Sequence, residues 1–186
     1  GISNISGDLI LDDSLFDQVR YDESRESKRI DRSYDAPVGA LSFNWNSVNI
    51  YVKPYDQKVQ AYIDPESTFF NLKNTAKLVS GRVPKDLIIS IDQDQRVIKV
   101  SGELSHKVEE KAYFKNVSNP VNWFGENLKA FMKQRGITLQ GKVKSGKVHA
   151  DAKSVAVVES KNLSDILADM NKFSNNFVAE MLTKNL

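Results

Sequence analysis

The chain has 186 residues, a net charge of +2, 40% hydrophobic and 27% charged residues, and no cysteine. This is the composition of a folded globular chain of one large or two small domains, which excludes disorder and any disulfide or thiol chemistry. So small a net charge gives no reason to expect a nucleic acid or membrane partner, and no apolar run approaches the roughly 20 residues that cross a bilayer.

In chain order, Gly7-Asp8-Leu9-Ile10-Leu11-Asp12-Asp13 reads as a short buried strand ending in acidic residues. The stretch from Asp22 to Asp35 is dense in charge and serine and predicts an exposed loop. Leu41, Phe43 and Trp45 alternate with polar residues, and Val48, Ile50 and Val52 alternate in the opposite phase. That phase change predicts two half-buried strands with a turn at Asn46-Ser47. Tyr62-Ile63 predicts another strand, stopped by Asp64-Pro65. A hairpin is expected from Leu87-Ile88-Ile89 to Ile98, Val100 and Leu104 around Asp92-Gln93-Asp94-Gln95, and residues 107–115 can add a strand.

A helix is predicted after Asn119, a capping residue, and Pro120, which suits a first turn. Val121, Phe124, Leu128, Phe131 and Met132 form its apolar stripe, and Arg135-Gly136 its ending. Val155 to Val158 reads as a strand. Leu163, Ile166, Leu167 and Met170 then fall at helical spacing behind Asn162, a cap, and Phe177, Val178, Met181 and Leu182 mark a last helix. The fold class expected is α+β. Residues 1–150 form a β-rich region divisible into two subdomains, and residues 151–186 bring one strand and two helices to the edge of a second domain. The six residues Leu163, Ile166, Leu167, Phe177, Met181 and Leu182 are too many for so short a segment to bury alone.

Several chemistries find little support. His106 and His149 are the only histidines and lack ligand-spaced partners, so no metal site is predicted and no cofactor is expected. No glycine-rich phosphate cradle is present; Gly141 and Gly146 read as turns. An acyl-enzyme of the penicillin-binding class needs a serine with lysine three residues later, one face of one helix. No serine here has that partner; Ser24 and Lys28 are four apart. Lys144-Ser145-Gly146 has the form of that class's later strand motif but precedes the Ser-x-Asn candidate, so a turn is the better reading. Adjacent carboxylates at Asp12-Asp13 end a strand and also suit a substrate amine. Ser174-Asn175-Asn176 before a helix reads first as a cap.

The neighbours of that cluster add more. Lys172-Phe173-Ser174-Asn175-Asn176-Phe177-Val178-Ala179-Glu180-Met181-Leu182 is similar to the Ser-x-Asn box of the class C, low-molecular-mass penicillin-binding serine D-Ala-D-Ala carboxypeptidases. Leu163-Ser164-Asp165-Ile166-Leu167 resembles the helix that leads into it. Gly7 to Phe16, then Tyr34-Asp35-Ala36-Pro37 with Ala40 to Asn44, Asn49 and Pro54, and then Pro120 to Gly141 resemble further segments of that family, in its order. Residues 68–111 carry no matching motif. The resemblance implies a serine-transpeptidase domain carrying an accessory insert, of which residues 1–150 are the insert and residues 151–186 the return. It also implies cleavage of the terminal D-Ala, or of the cross-link, of peptidoglycan stem peptides in the periplasm. The enzyme would be open to β-lactams and completed by catalytic-domain segments, and an export signal, outside this chain. Ser174 and Asn176 are then the catalytic candidates, one relaying a proton and the other holding the substrate backbone. Asp12 and Phe16 are the candidates for binding a side-chain amine, with Asp13 structural or exposed. This chain alone is expected not to form an acyl-enzyme. The competing expectation is a non-catalytic β-rich module that binds cell wall or a protein partner.

Overall fold

The computed structural model describes residues 1–22 and 31–186. Two short strands open the chain, β1 (Asn4–Ile5) and β2 (Leu9–Leu11). Their partners come from far along the sequence. β1 pairs in parallel with β11 (Thr138–Leu139), and β2 pairs in parallel with β12 (Val143–Ser145). Between these partners run the two larger sheets and a long helix. The first sheet has the order β10-β3-β4, with β3 (Ser47–Tyr55), β4 (Lys58–Asp64) and β10 (Lys111–Asn116) all antiparallel neighbours. The second has the order β5-β8-β7, with β5 (Asn71–Asn74) parallel and β7 (Ile88–Asp92) antiparallel to β8 (Val97–Ser101). A parallel pair, β6 (Lys77–Val79) and β9 (Glu103–Ser105), lies beside them.

Alternation explains the core. Val48, Ile50 and Val52 on β3 are fully buried, and they meet Ile98, Val100, Ile89 and Leu104 from the second group. The expected hairpin is present between β7 and β8, and Asp92 Oδ1 accepts the Gln95 N–H at 2.9 Å to close its turn. Helix α1 (Pro120–Gln134) starts as expected, with Asn119 Oδ1 accepting the Asn122 N–H at 3.1 Å and Pro at its first position. Its deepest residue is not on the expected stripe. Trp123 is wholly buried, donates Nε1–H to the Phe43 carbonyl at 3.3 Å, and packs within 6.0 Å of the rings of Phe43, Phe69 and Phe70. Phe131, assigned to the stripe, is 39% exposed.

Four expectations require correction. Residues 41–46 form no strand. Asn44, Trp45 and Asn46 all take positive φ, and the buried Asn46 side chain accepts from Phe43 N–H and donates to the Pro37 carbonyl at 2.8 Å. Such side-chain bonds offer the backbone an alternative to a strand ladder. Residues 155–158 also form no strand; Val155, Val157 and Val158 are 75–92% exposed, with no neighbouring strand to take their backbone groups. Lys144-Ser145 belong to strand β12, not to a turn. Finally, the loop expected over 22–35 lies mostly outside the described residues; Asp22, Asp31, Arg32 and Tyr34 are exposed as expected, but Asp35 ends a 3₁₀ turn and is buried.

The chain closes with α2 (Leu163–Phe173) and α3 (Asn176–Lys184). Asn162 precedes α2 without a side-chain capping bond. α2 has no buried residue, whereas α3 is held by Phe177, which packs with Ala36 and Val38.

Candidate functional site

The junction between α2 and α3 is built by one left-handed residue. Ser174 has φ 47° and ψ 47°, which ends α2 where a glycine would be the usual choice. The chain then turns directly into α3. Asn175 is 6% exposed; its N–H bonds the Met170 carbonyl at 3.1 Å, and its Oδ1 accepts the Val178 N–H at 3.3 Å. Asn175 is therefore the capping asparagine. Ser174 is exposed and Asn176 half-buried on either side of it. In a run of three capping residue types only backbone geometry reveals which one caps.

A second group of candidates lies at the end of β2. Asp12 Oδ1 accepts the Ser14 N–H at 2.9 Å, and Oδ2 accepts the Val148 N–H at 2.7 Å. The Ser14 hydroxyl foremost, with these two backbone donors, lowers the Asp12 carboxyl from its ordinary 3.8 to about 2. Oδ2 thus ties the strand end to the segment after β12, Oδ1 closes a local turn at Ser14, and one of the four acceptor sites of the carboxylate is left. Asp13 is buried, accepts the Leu41 N–H at 2.8 Å and pairs with Arg20 at 2.5 Å. Arg20 also donates to the Val38 carbonyl at 3.2 Å. Nothing in the sequence pattern marked Arg20. Phe16 is buried, at 8% exposure, so its ring does not stand open to solvent.

Asp12, Asp13 and Arg20 border a hollow of about 220 Å³, closed by Val121, Ser145 and Gly146. Ser174, Asn176 and Phe16 are not among its lining residues. The two candidate groups are connected instead through α3. Lys184 forms an ion pair with Asp17, and Phe177 packs on Val38, next to the Arg20 contact. No described helix is long and apolar enough to cross a membrane, and no group of three or more described acidic, histidine or cysteine side chains is placed to hold a metal ion.

The chain is of mixed α+β class, with its first two and last two strands paired around two inner sheets and a helix pair at its end. It matches penicillin binding protein 4 (dacB) from Haemophilus influenzae with a TM-score of 0.76 at 20% identity, over 100% of this chain and 42% of that one. The same protein complexed with a novel beta-lactam (CMV) matches with a TM-score of 0.61 at 20% identity, over 98% of this chain and 39% of that one. The chain belongs to the D-Ala-D-Ala carboxypeptidase 3 (S13) family, whose sequence model matches residues 1–186. It is also 27% identical, over 197 aligned residues, to a D-alanyl-D-alanine carboxypeptidase of Actinomadura sp. (strain R39). It spans 37% of that relative's length.

Proposed function

We propose that the protein to which this segment belongs is a periplasmic serine D-Ala-D-Ala carboxypeptidase or endopeptidase acting on peptidoglycan stem peptides and blocked by penicillin. Residues 1–150 are its accessory insert and residues 151–186 the return to the catalytic domain. The observation that carries the reading is the family match along all 186 residues. The left-handed, solvent-exposed Ser174 beside Asn176 is consistent with it, since non-glycine residues held at positive φ concentrate where function requires the geometry.

The chemistry divides as follows. A serine hydroxyl supplied by another part of the protein bonds to the carbonyl carbon of the penultimate D-Ala. The C–N bond breaks, and the terminal D-Ala leaves as an amine after taking a proton. Water then cleaves the ester and restores the serine. Ser174 passes the proton toward the leaving nitrogen, and the Asn176 amide, able to donate and accept, holds the substrate backbone. Asp12 offers its remaining acceptor site to a side-chain amine of the stem peptide, and Phe16 is the aromatic proposed to cover the alkyl stem of that amine.

Acylation of the full-length enzyme by a fluorescent penicillin tests the reading. Asn176→Ala is expected to slow it by roughly 10²-fold, the usual loss for a positioned polar group; an unchanged rate removes Asn176 from the site. Asp12→Asn is expected to lower kcat/KM roughly 10- to 100-fold on an amine-bearing peptide and to spare an amine-free one. Equal losses on both peptides assign Asp12 to the fold alone.

A further inference from the structure

Asp13 and Arg20 form a largely buried ion pair that the proposed chemistry leaves unused; their side chains are 9% and 22% exposed. Taking such charges out of water costs free energy that their attraction returns only in part, so stability alone is a weak reason for the pair. Its placement gives a stronger one. The Arg20 backbone carbonyl accepts the Val38 N–H at 2.9 Å, and Nη1 donates to the Val38 carbonyl at 3.2 Å. Nη2 meets Asp13 at 2.5 Å, and Asp13 is itself held by the Leu41 N–H. One guanidinium thus joins two partners through two nitrogens, which the single nitrogen of a lysine cannot do in the same geometry. Gly39 follows Val38, and a Cβ there would stand 2.8 Å from Nη1 of Arg20 and 3.2 Å from Oδ1 of Asp13. Any larger residue would displace the pair.

Val38 is in turn the seat of α3. With Ala36 and Phe177 it forms a small core separate from that of the two sheets, and Phe177, 4% exposed, directly follows Asn176. Among the described residues, no other apolar side chain of residues 151–186 is buried. α2 has none, so it cannot fix the junction from its side. At the far end of α3, Lys184 pairs with Asp17, but the Asp17 side chain is 60% exposed, and an ion pair so open to water holds a helix weakly. The start of α3 therefore takes its position from Val38, and Val38 takes its position from Arg20.

We propose that Arg20 is a positioning residue for the reaction: its grip on Val38 sets, through Phe177, where the Asn176 amide stands toward the substrate. This role rests on Asn176 holding the substrate backbone, as proposed above. Phe177 lies one peptide bond from Asn176, and a close-packed core transmits a shift of Val38 rather than absorbing it. A displacement of about 1 Å at a reacting site lowers the rate by as much as about 10²-fold, so a residue that never touches substrate can still control it.

The test measures acylation of the full-length enzyme by a fluorescent penicillin in two variants. Arg20→Lys keeps a positive charge beside Asp13 but loses the second arm to Val38. Gly39→Ala keeps both charges and pushes the guanidinium aside. Each is expected to slow acylation about 10-fold at an unchanged thermal midpoint. On an Asn176→Ala background each should add less than about a twofold loss, because the group being positioned is gone. Slowing that appears only with a lowered midpoint would assign Arg20 to stability and overturn the proposal, as would the same loss repeated in full on the Asn176→Ala background. Wild-type rates in both variants, with Asn176→Ala still slow, would overturn it and leave the role of Asn176 standing. A wild-type rate for Asn176→Ala would remove both together.

Discussion

Ser174 is held in a conformation that costs an L-residue about 1–2 kcal/mol and a glycine almost nothing. Ser174→Gly is therefore expected to raise stability by about 0.5–1 kcal/mol in chemical denaturation while removing the hydroxyl proposed to relay the proton. A variant that is more stable and slower to acylate supports a serine kept for chemistry; one that is less stable shows that the hydroxyl serves the fold. Asp12 offers a second measurement at this scale. Its folded pKa of about 2 lies below the ordinary 3.8, so its contribution to stability is complete above that ordinary value and is lost as pH falls through about 2. The side-chain carboxyl carbon of Asp12 should titrate with a midpoint near 2 by NMR. A midpoint near the ordinary value shows that the bonds from the Ser14 hydroxyl, Val148 and the Ser14 N–H do not persist in solution. Legibility at this scale was uneven. The chemical types at Ser174, Asn176 and Asp12 stand in the sequence, but that Asn175 is the cap and that both Asp12 oxygens are engaged depends on neighbours as distant as Val148.

Among elements, α1 shows packing overruling local preference. Gly125 lies in the middle of that helix, where alanine is favoured by about 1 kcal/mol. A Cβ there would stand 2.5 Å from Leu11 Cδ1 and 2.8 Å from Val143 Cγ1, and Leu11 is itself 3% exposed, with little room to move. Gly125→Ala is expected to destabilise by about 1–2 kcal/mol, because overpacking exceeds the gain in helix preference. A higher thermal midpoint for the variant contradicts this close approach of α1 to β2 and β12. The same contrast explains the expectations that failed. Caps, periodicity and proline placed α1, α2, α3, β4 and the β7–β8 hairpin correctly, since each depends on residues near in sequence. Residues 41–46 have strand periodicity yet follow the hydrogen bonds of one buried asparagine. Trp123 lies off the apolar stripe of α1, and its burial depends on Phe69 and Phe70, more than fifty residues away.

For the whole molecule, the last 36 residues have more apolar surface than these 186 residues cover. Val155, Val157 and Val158 are 75–92% exposed, and Leu163, Leu167 and Phe173 are 38–60% exposed, all within residues 155–173. Of the six helix residues expected to need a partner, only Phe177 is buried. If the proposed catalytic domain covers this surface, amide hydrogens of residues 154–173 will exchange quickly in the 186-residue segment and at least tenfold more slowly in the full-length protein. Equal exchange in both leaves the surface without a partner in the rest of the chain.

By itself, the sequence determined the local elements whose signals are short in range, the residue types available for chemistry, and, through segments in a recognisable order, the family. Tertiary structure alone decided which strands meet: β1 with β11 and β2 with β12 are pairs more than 130 residues apart, and two- or three-residue strands carry too little pattern to name a partner. It also decided that Asp13 would be paired with Arg20 and that the Asn74 side chain would meet the Val59 carbonyl. The reason is physical. Periodicity and capping are written within one turn or one strand, whereas ion pairing, strand register and edge exposure depend on which distant residues the folded chain brings into contact.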